Sequence, residues 1–230
     1  MIDVIGHAIH DFYYNLSPGK LWIHNKFGKP DEMPIDIYFR DEEDMPDLEL
    51  EALDLCYGKV LDIGAGAGSH ALYLQEKNID ITAIEISPLA AAVMKHRGVK
   101  NIIRKSIFDY NAEQYDTLLL LMNGIGLTAT ISGLHLFLQQ AKKMLLPGGQ
   151  LIFDSSDVAY LYKKNIPKME NYYGEINFRY EYKRQKTDWF TWLYIDPQKL
   201  AIIAAEEGWT TEILFEDEHD QYLVKLVPVC

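Results

Sequence analysis

Cysteine is nearly absent: Cys56 and Cys230 are the two in 230 residues, too few for a disulfide framework and without metal-ligand spacing. His7 and His10, three apart, lack a further ligand set, so no metal is expected. A reducing, cytoplasmic setting is expected. Positive charge is also scarce, with Lys+Arg 22 against Asp+Glu 34 and a net charge of −12. That balance disfavours nucleic acid as a partner, because such binding rests on cations neutralising phosphates. Long apolar runs are missing too, since the greasiest stretch, 118–122, stops at Asn123-Gly124, and the start lacks a basic segment ahead of an apolar one. Neither a membrane span nor a signal peptide is expected. There is no internal repeat and no low-complexity linker, and the acidic run over 41–51 reads as a solvated loop and helix face.

What is present is concentrated at Lys59-Val60-Leu61-Asp62-Ile63-Gly64-Ala65-Gly66-Ala67-Gly68-Ser69, an apolar strand ending in an acid that runs into three alternating glycines and then a helix. Glycine admits backbone conformations closed to other residues and lets a ligand lie against the main chain. A dinucleotide fingerprint would put its third glycine where Ser69 stands, which weakens a pyrophosphate reading.

Downstream, short apolar strands alternate with helical stretches, the pattern of a parallel sheet built from βαβ units. Strands are expected at 59–63, 79–85, 99–104, 115–122 and 150–154. Helices are expected from Ser69 as N-cap, over 87–98 from Ser87-Pro88, and over 132–145 ahead of Pro147-Gly148-Gly149. From 176 the pattern turns to period two, Ile176, Phe178, Tyr180 and Tyr182 alternating with polar residues, with a partner strand at 189–195. A helix from Asp196-Pro197 and strands at 210–216 and 221–227 close the chain, and residues 1–57 read as helices joined by a loop with Pro30, Pro34 and Pro46.

The GxGxG turn after an in-strand acid resembles motif I of class I S-adenosylmethionine-dependent methyltransferases, and the likeness extends over about 57–227. It implies an α/β fold: a doubly wound, mostly parallel, seven-stranded Rossmann-like sheet with an antiparallel last strand. Residues 1–57 would add an N-terminal helical cap to a cofactor-binding domain over 58–230, with a β-hairpin inserted at about 176–195. It also implies methyl transfer with S-adenosylmethionine as cofactor. Under the resemblance, Asp62, Gly64, Ala65, Gly66 and Gly68 form the cofactor turn. Glu85, followed by Ile86, matches the acid that binds the ribose hydroxyls, at the interval of about 20 residues that such an acid keeps. Glu85 also precedes the helix begun at Ser87, so capping that helix is the other reading of it.

The slot for an acid facing the adenine amine falls on Ser106, a departure from the family, with Asp109 as the other candidate and Ile107 or Phe108 as apolar contacts or core plugs. Met122 and Asn123 end the fourth strand, where such sheets place ligands, and Asn123 either orients substrate or holds the methionine amine through its carbonyl, unless Asn-Gly is only a turn pair. Arg40 is a candidate for the cofactor carboxylate, against a salt bridge to the neighbouring acids. One of Asp154, Ser155, Ser156 and Asp157 is expected to touch substrate. Catalytic candidates are Asn123, His70 and Tyr173, with Tyr172 beside it, although methyl transfer asks for little beyond in-line alignment. Phe12, Tyr13, Tyr14, Tyr160 and Tyr162 flank the positions where lids lie in this fold. The acceptor is expected to be a small molecule, with a protein or RNA acceptor, or a non-catalytic cofactor-binding module, as alternatives.

Overall fold

The apolar runs of the sequence become strands because they can be covered on both faces. The structure, a computed structural model, describes residues 2–162 and 171–229. In chain order the elements are α1 (Val4–Tyr13), β1 (Leu21–His24), β2 (Asp31–Met33), α2 (Asp47–Asp54), β3 (Lys59–Ile63), α3 (Ser69–Glu76), β4 (Asp80–Ile84), α4 (Pro88–Arg97), β5 (Ile102–Ile103) and β6 (Tyr115–Leu120). Then follow α5 (Ile131–Met144), β7 (Leu145–Ser156), β8 (Glu175–Tyr182), β9 (Gln185–Lys186), β10 (Phe190–Leu193), α6 (Pro197–Glu206), β11 (Trp209–Glu216) and β12 (Gln221–Pro228).

Seven strands form a sheet of order β11-β12-β7-β6-β3-β4-β5, in which the last strand, β12, runs antiparallel to β7. This is the expected Rossmann-like architecture. The strand order reverses at β3, so the turn that leaves it departs from a topological switch point. Two strands depart from their expected bounds by more than two residues at one end. The run 99–104 narrows to Ile102–Ile103, and β7 begins early, continuing through Pro147-Gly148-Gly149 with a register shift between its pairings to Tyr115 and Thr117. Gly148, at φ 81, absorbs the irregularity beside a proline that cannot donate.

Residues 1–57 are not only helices and a loop. Between α1 and α2 lie β1 and β2, and β1 pairs antiparallel with β2 (Leu21↔Met33) and with β8 (Leu21↔Tyr182, His24↔Arg179). The strands of the expected hairpin belong to a five-stranded sheet, order β10-β8-β1-β2 with β9 on β8. A four-residue strand carries too little period-two signal to be read, and its partner lies over 150 residues away.

The chain divides into two compact units, Met1–Pro46, Leu61–Tyr110 and Asn177–Phe190 in one, Asp47–Val60, Asn111–Ile176 and Thr191–Cys230 in the other. In the first, Val4, Ala8, Leu21, Ile35 and Tyr182 form one buried cluster, and Ile9, Ala67, Ala90 and Val93 form another, so α1 packs beside the glycine turn and α4. Asp3 caps α1 through Gly6 N (2.9 Å) and accepts Ser87 Oγ (2.7 Å), tying that helix to the cap of α4. In the second, Leu118, Leu151, Phe153 and Val224 of the strands, Phe137 and Leu138 of α5 and Leu200 of α6 are all fully buried. Glu49 of α2 is buried, so the acidic run is not wholly solvated.

Candidate active site

The turn after β3 takes the shape its glycines permit. Gly64, Gly66 and Gly68 have φ of 78°, 55° and 83°, in the left-handed region. Gly64 N donates to Ile84 O (2.9 Å) and Gly68 N to Ala65 O (2.8 Å), with Ala65 buried beneath. A Cβ on Gly64 would meet nothing within 4 Å, so the space beside this main chain is open, whereas one on Gly66 would lie 3.2 Å from the Tyr38 ring. Gly68, not Ser69, is the N-cap of α3. Ser69 Oγ instead donates to Tyr38 O (2.9 Å).

The Glu85 carboxylate accepts Gly66 N (3.0 Å) on one oxygen and the N–H of Ser87, the N-cap residue of α4, on the other (2.7 Å). Each oxygen keeps acceptor capacity. Burial raises its pKa above the usual carboxylate range, and the backbone donors of Ser87, Gly66 and Ile86 pull it back. Ile86, next along, is 70% exposed, an unusual position for an isoleucine. Asp62 is buried, its Oδ2 has no partner, and burial pushes it up to about 6 against the opposing pull of His70. His70, on the first turn of α3, is itself buried, which suits packing better than proton transfer.

Ser106 is half-buried, and its carbonyl accepts Asp109 N (3.1 Å); Ile107 is buried as a plug, while Phe108 and Asp109 are exposed. Arg40, half-buried, ends the 3-10 turn Ile35–Phe39. Two residues here escape sequence reasoning. Tyr38 rests on Gly66, and burial with the charge of Glu85 raises its phenol well above its ordinary value. Arg97 Nη1 donates to Ala67 O (2.7 Å) and Ser69 Oγ (3.2 Å), with its guanidinium 5.1 Å from the Phe39 ring centroid. In sequence Arg97 is an ordinary basic residue in a last helical turn. Phe12 and Tyr13 stack on Phe39, and Tyr13 OH pairs with His96 Nδ1 (2.8 Å).

In the second unit, Met122 and Asn123 follow β6 with φ of 61° and 55°, both left-handed without glycine. Asn123 N lies within hydrogen-bond range of both oxygens of Asp154 (3.0 and 2.8 Å). Its carbonyl accepts Gly126 N (3.0 Å) and Trp192 Nε1 (3.1 Å), which fills both lone pairs and leaves none for a methionine amine. Its Oδ1 accepts Ser156 Oγ (3.1 Å). Asp154 and Ser155 are fully buried, so of the four residues leaving β7, Ser156 and Asp157 retain exposure.

Tyr173 OH donates to Asp157 (2.7 Å), Tyr172 OH donates to Asp196 (2.5 Å), and the two rings are 4.5 Å apart. Burial, then these carboxylates, raise Tyr173 far above its ordinary value, and Tyr172 likewise. A phenol so raised stays protonated at neutral pH. Here Tyr173 is a donor in a tyrosine–aspartate network. Tyr162 OH joins it at Tyr173 O (2.7 Å), while Tyr160 is exposed.

An α/β sheet with a glycine turn at its switch point and an acid after the next strand defines a nucleotide-type cofactor protein. The family profile described as Methyltransferase domain matches residues 61–153. A comparison with curated proteins returned no match. Among solved structures, the chain is similar to a SAM-dependent methyltransferase from Bacteroides fragilis in complex with S-adenosyl-L-homocysteine, at 41% identity and TM-score 0.92, covering 99% of this chain and 95% of that one. An S-adenosylmethionine-dependent methyltransferase from Clostridium acetobutylicum (14% identity, 82% and 94% covered, TM-score 0.61) shares the fold. So does a sugar N-methyltransferase from Streptoalloteichus sp. (15% identity, 90% and 97% covered, TM-score 0.61). This chain belongs to the class I S-adenosylmethionine-dependent methyltransferases, and S-adenosylmethionine is its cofactor.

The donor set fits that cofactor: an open main chain at Gly64, an unpartnered buried oxygen on Asp62, spare acceptor capacity on Glu85 and an exposed apolar Ile86. Among the described residues, no group of three or more His, Cys, Asp or Glu is placed to hold a metal, and no helix is long and apolar enough to cross a membrane.

Proposed function

We propose that this methyltransferase acts on a small molecule in the cytoplasm, and that Glu85 receives the cofactor's ribose hydroxyls beside the turn Asp62–Gly68. The observation that carries the cofactor placement is the Glu85 carboxylate, held by Gly66 N and Ser87 N with lone pairs to spare. Two fixed backbone donors preset the orientation that a pair of vicinal hydroxyls requires. Gly64 gives main-chain approach, Ala65 supports the turn from below, and Ile86 offers an apolar surface to the base, with Ser106 and Ile107 at its edge. Met122 and Asn123, at the carboxyl end of β6, are our candidates for the methionine end, though not through the Asn123 N–H or carbonyl, which Asp154, Gly126 and Trp192 occupy. Arg40 is the candidate for the carboxylate.

S-adenosylmethionine, when bound, supplies an electrophilic methyl on a sulfonium with a good leaving group. What the chain adds is orientation and exclusion of water, since proximity accounts for most of the rate in such transfers. The small-molecule acceptor is supported by the net charge of −12, which suits no phosphate-rich partner, and by the likeness to a sugar N-methyltransferase. β1, β2 and the 176–195 strands form the sheet proposed to shape acceptor choice.

The test is a metabolite extract incubated with isotopically labelled S-adenosylmethionine and read by mass spectrometry. The expected result is label in one or a few low-mass products. Label appearing only in protein or RNA, when these are supplied, would overturn the small-molecule reading.

A further inference from the structure

Asp154 is a carboxylate with no exposed surface in the interior of a strand, where an apolar residue would pack at less cost. Its oxygens are used on the loop after β6: both reach Asn123 N (3.0 and 2.8 Å), and Oδ2 also accepts Gln221 Nε2 (2.9 Å). The residue so held, Asn123, and its neighbour Met122 are both left-handed, and methionine has no side-chain means of favouring that region. Trp192 closes the same loop from β10 by donating to Asn123 O (3.1 Å), and it can approach because residue 126 is glycine: a Cβ there would lie 1.9 Å from Trp192 Nε1.

We propose that Asp154 is a positioning residue for methyl transfer, its buried carboxylate holding Met122 and Asn123 in the left-handed geometry at the end of β6. The proposal rests on the reading that this loop lines the cofactor. The loop geometry then depends on an oxygen acceptor at this position, because Asn123 N–H lies within range of both Asp154 oxygens and a side chain without oxygen would leave it without that partner. Burial pushes Asp154 up to about 6, against the donors from Asn123 and Gln221. The charged or titratable groups acting on it are Glu49 of α2, Tyr194 after β10 and Tyr222 of β12, none a cation.

The test uses the indole N–H signals of the full-length 15N-labelled chain, with Trp192 assigned by its loss in Trp192→Phe. The Trp192 signal should shift in Asp154→Ala and return toward its wild-type position in Asp154→Asn, whose amide oxygen can still accept from Asn123 N. Calorimetry should show S-adenosylhomocysteine binding about tenfold weaker to Asp154→Ala at pH 8, with Asp154→Asn closer to wild type. Wild-type Trp192 signal and affinity in Asp154→Ala overturn the proposal, and so does an Asp154→Asn variant as impaired as Asp154→Ala. Saturating S-adenosylhomocysteine should also shift the Trp192 signal at pH 8. No shift would remove the reading that the loop meets the cofactor, and the proposal with it. A shift with unchanged affinity in Asp154→Ala would overturn the proposal alone.

Discussion

The turn after β3 and the loop after β6 both end a buried strand by taking the backbone into the left-handed region, and they do it by opposite means. After β3 the conformation is intrinsic: Gly64, Gly66 and Gly68 adopt φ of 78°, 55° and 83° with no side chain to oppose it. After β6, Met122, Asn123 and Ala129 adopt φ of 61°, 55° and 64°, each at a cost of about 1–2 kcal/mol for residues with a Cβ. Distant groups hold the loop at Asn123, Asp154 from β7 and Trp192 from β10. A conformation written into glycines survives the loss of one neighbour. One imposed from outside fails with its partner.

That difference is sharpest for changes that put a side chain where none is tolerated. Gly66→Val should abolish S-adenosylhomocysteine binding, an effect of about 3 kcal/mol or more, because a β-branched residue is strained at positive φ and its Cβ would press on the Tyr38 ring at 3.2 Å. Calorimetry checks the binding and circular dichroism the retained fold. Wild-type affinity in the variant would mean that the turn is structural only.

The same contrast explains what the sequence discloses. Gly64, Gly66, Gly68 and Glu85 are close in the chain, and their residue types announce their conformation and chemistry, so the sheet, the turn and its acid were legible. Asp154 to Asn123 spans 31 residues and Trp192 to Asn123 spans 69, and nothing in the types Asp, Asn and Trp says that they meet. β1 was unreadable for the same reason, and so were Tyr38 and Arg97, whose contacts are tertiary.

A smaller effect separates binding from stability at the turn. Asp62 is pushed by burial from its ordinary 3.8 to about 6, so between those values the folded chain holds more protons than the unfolded one. Stability contributed at this site therefore falls as pH rises from about 4 through 6, and the full cost of the buried charge is present at pH 8. Asp62→Asn should be more stable than wild type at pH 8 by about 1–2 kcal/mol, with the difference vanishing near pH 4. Denaturant titrations at the two pH values read this, and the variant should bind S-adenosylhomocysteine less well. A stability difference that does not change with pH would contradict the assignment.

Smaller again is the support that the glycine turn receives from outside. Arg97→Ala removes donors to Ala67 O and Ser69 Oγ and should weaken S-adenosylhomocysteine binding by about 1 kcal/mol, roughly fivefold. A loss as large as that of Gly66→Val would show that this turn, too, is held from outside, and the contrast with the β6 loop would disappear.

The claim on which the rest depends is that Glu85, fixed by Gly66 N and Ser87 N, meets the ribose. Calorimetric titration of wild type and Glu85→Ala with S-adenosylhomocysteine and with its 2′-deoxy and 3′-deoxy analogues tests it most directly. The account predicts that Glu85→Ala binds S-adenosylhomocysteine about 1.5–3 kcal/mol more weakly, and that removing a hydroxyl costs affinity against wild type but little more against the variant. Equal losses for the deoxy analogues against both proteins would contradict it.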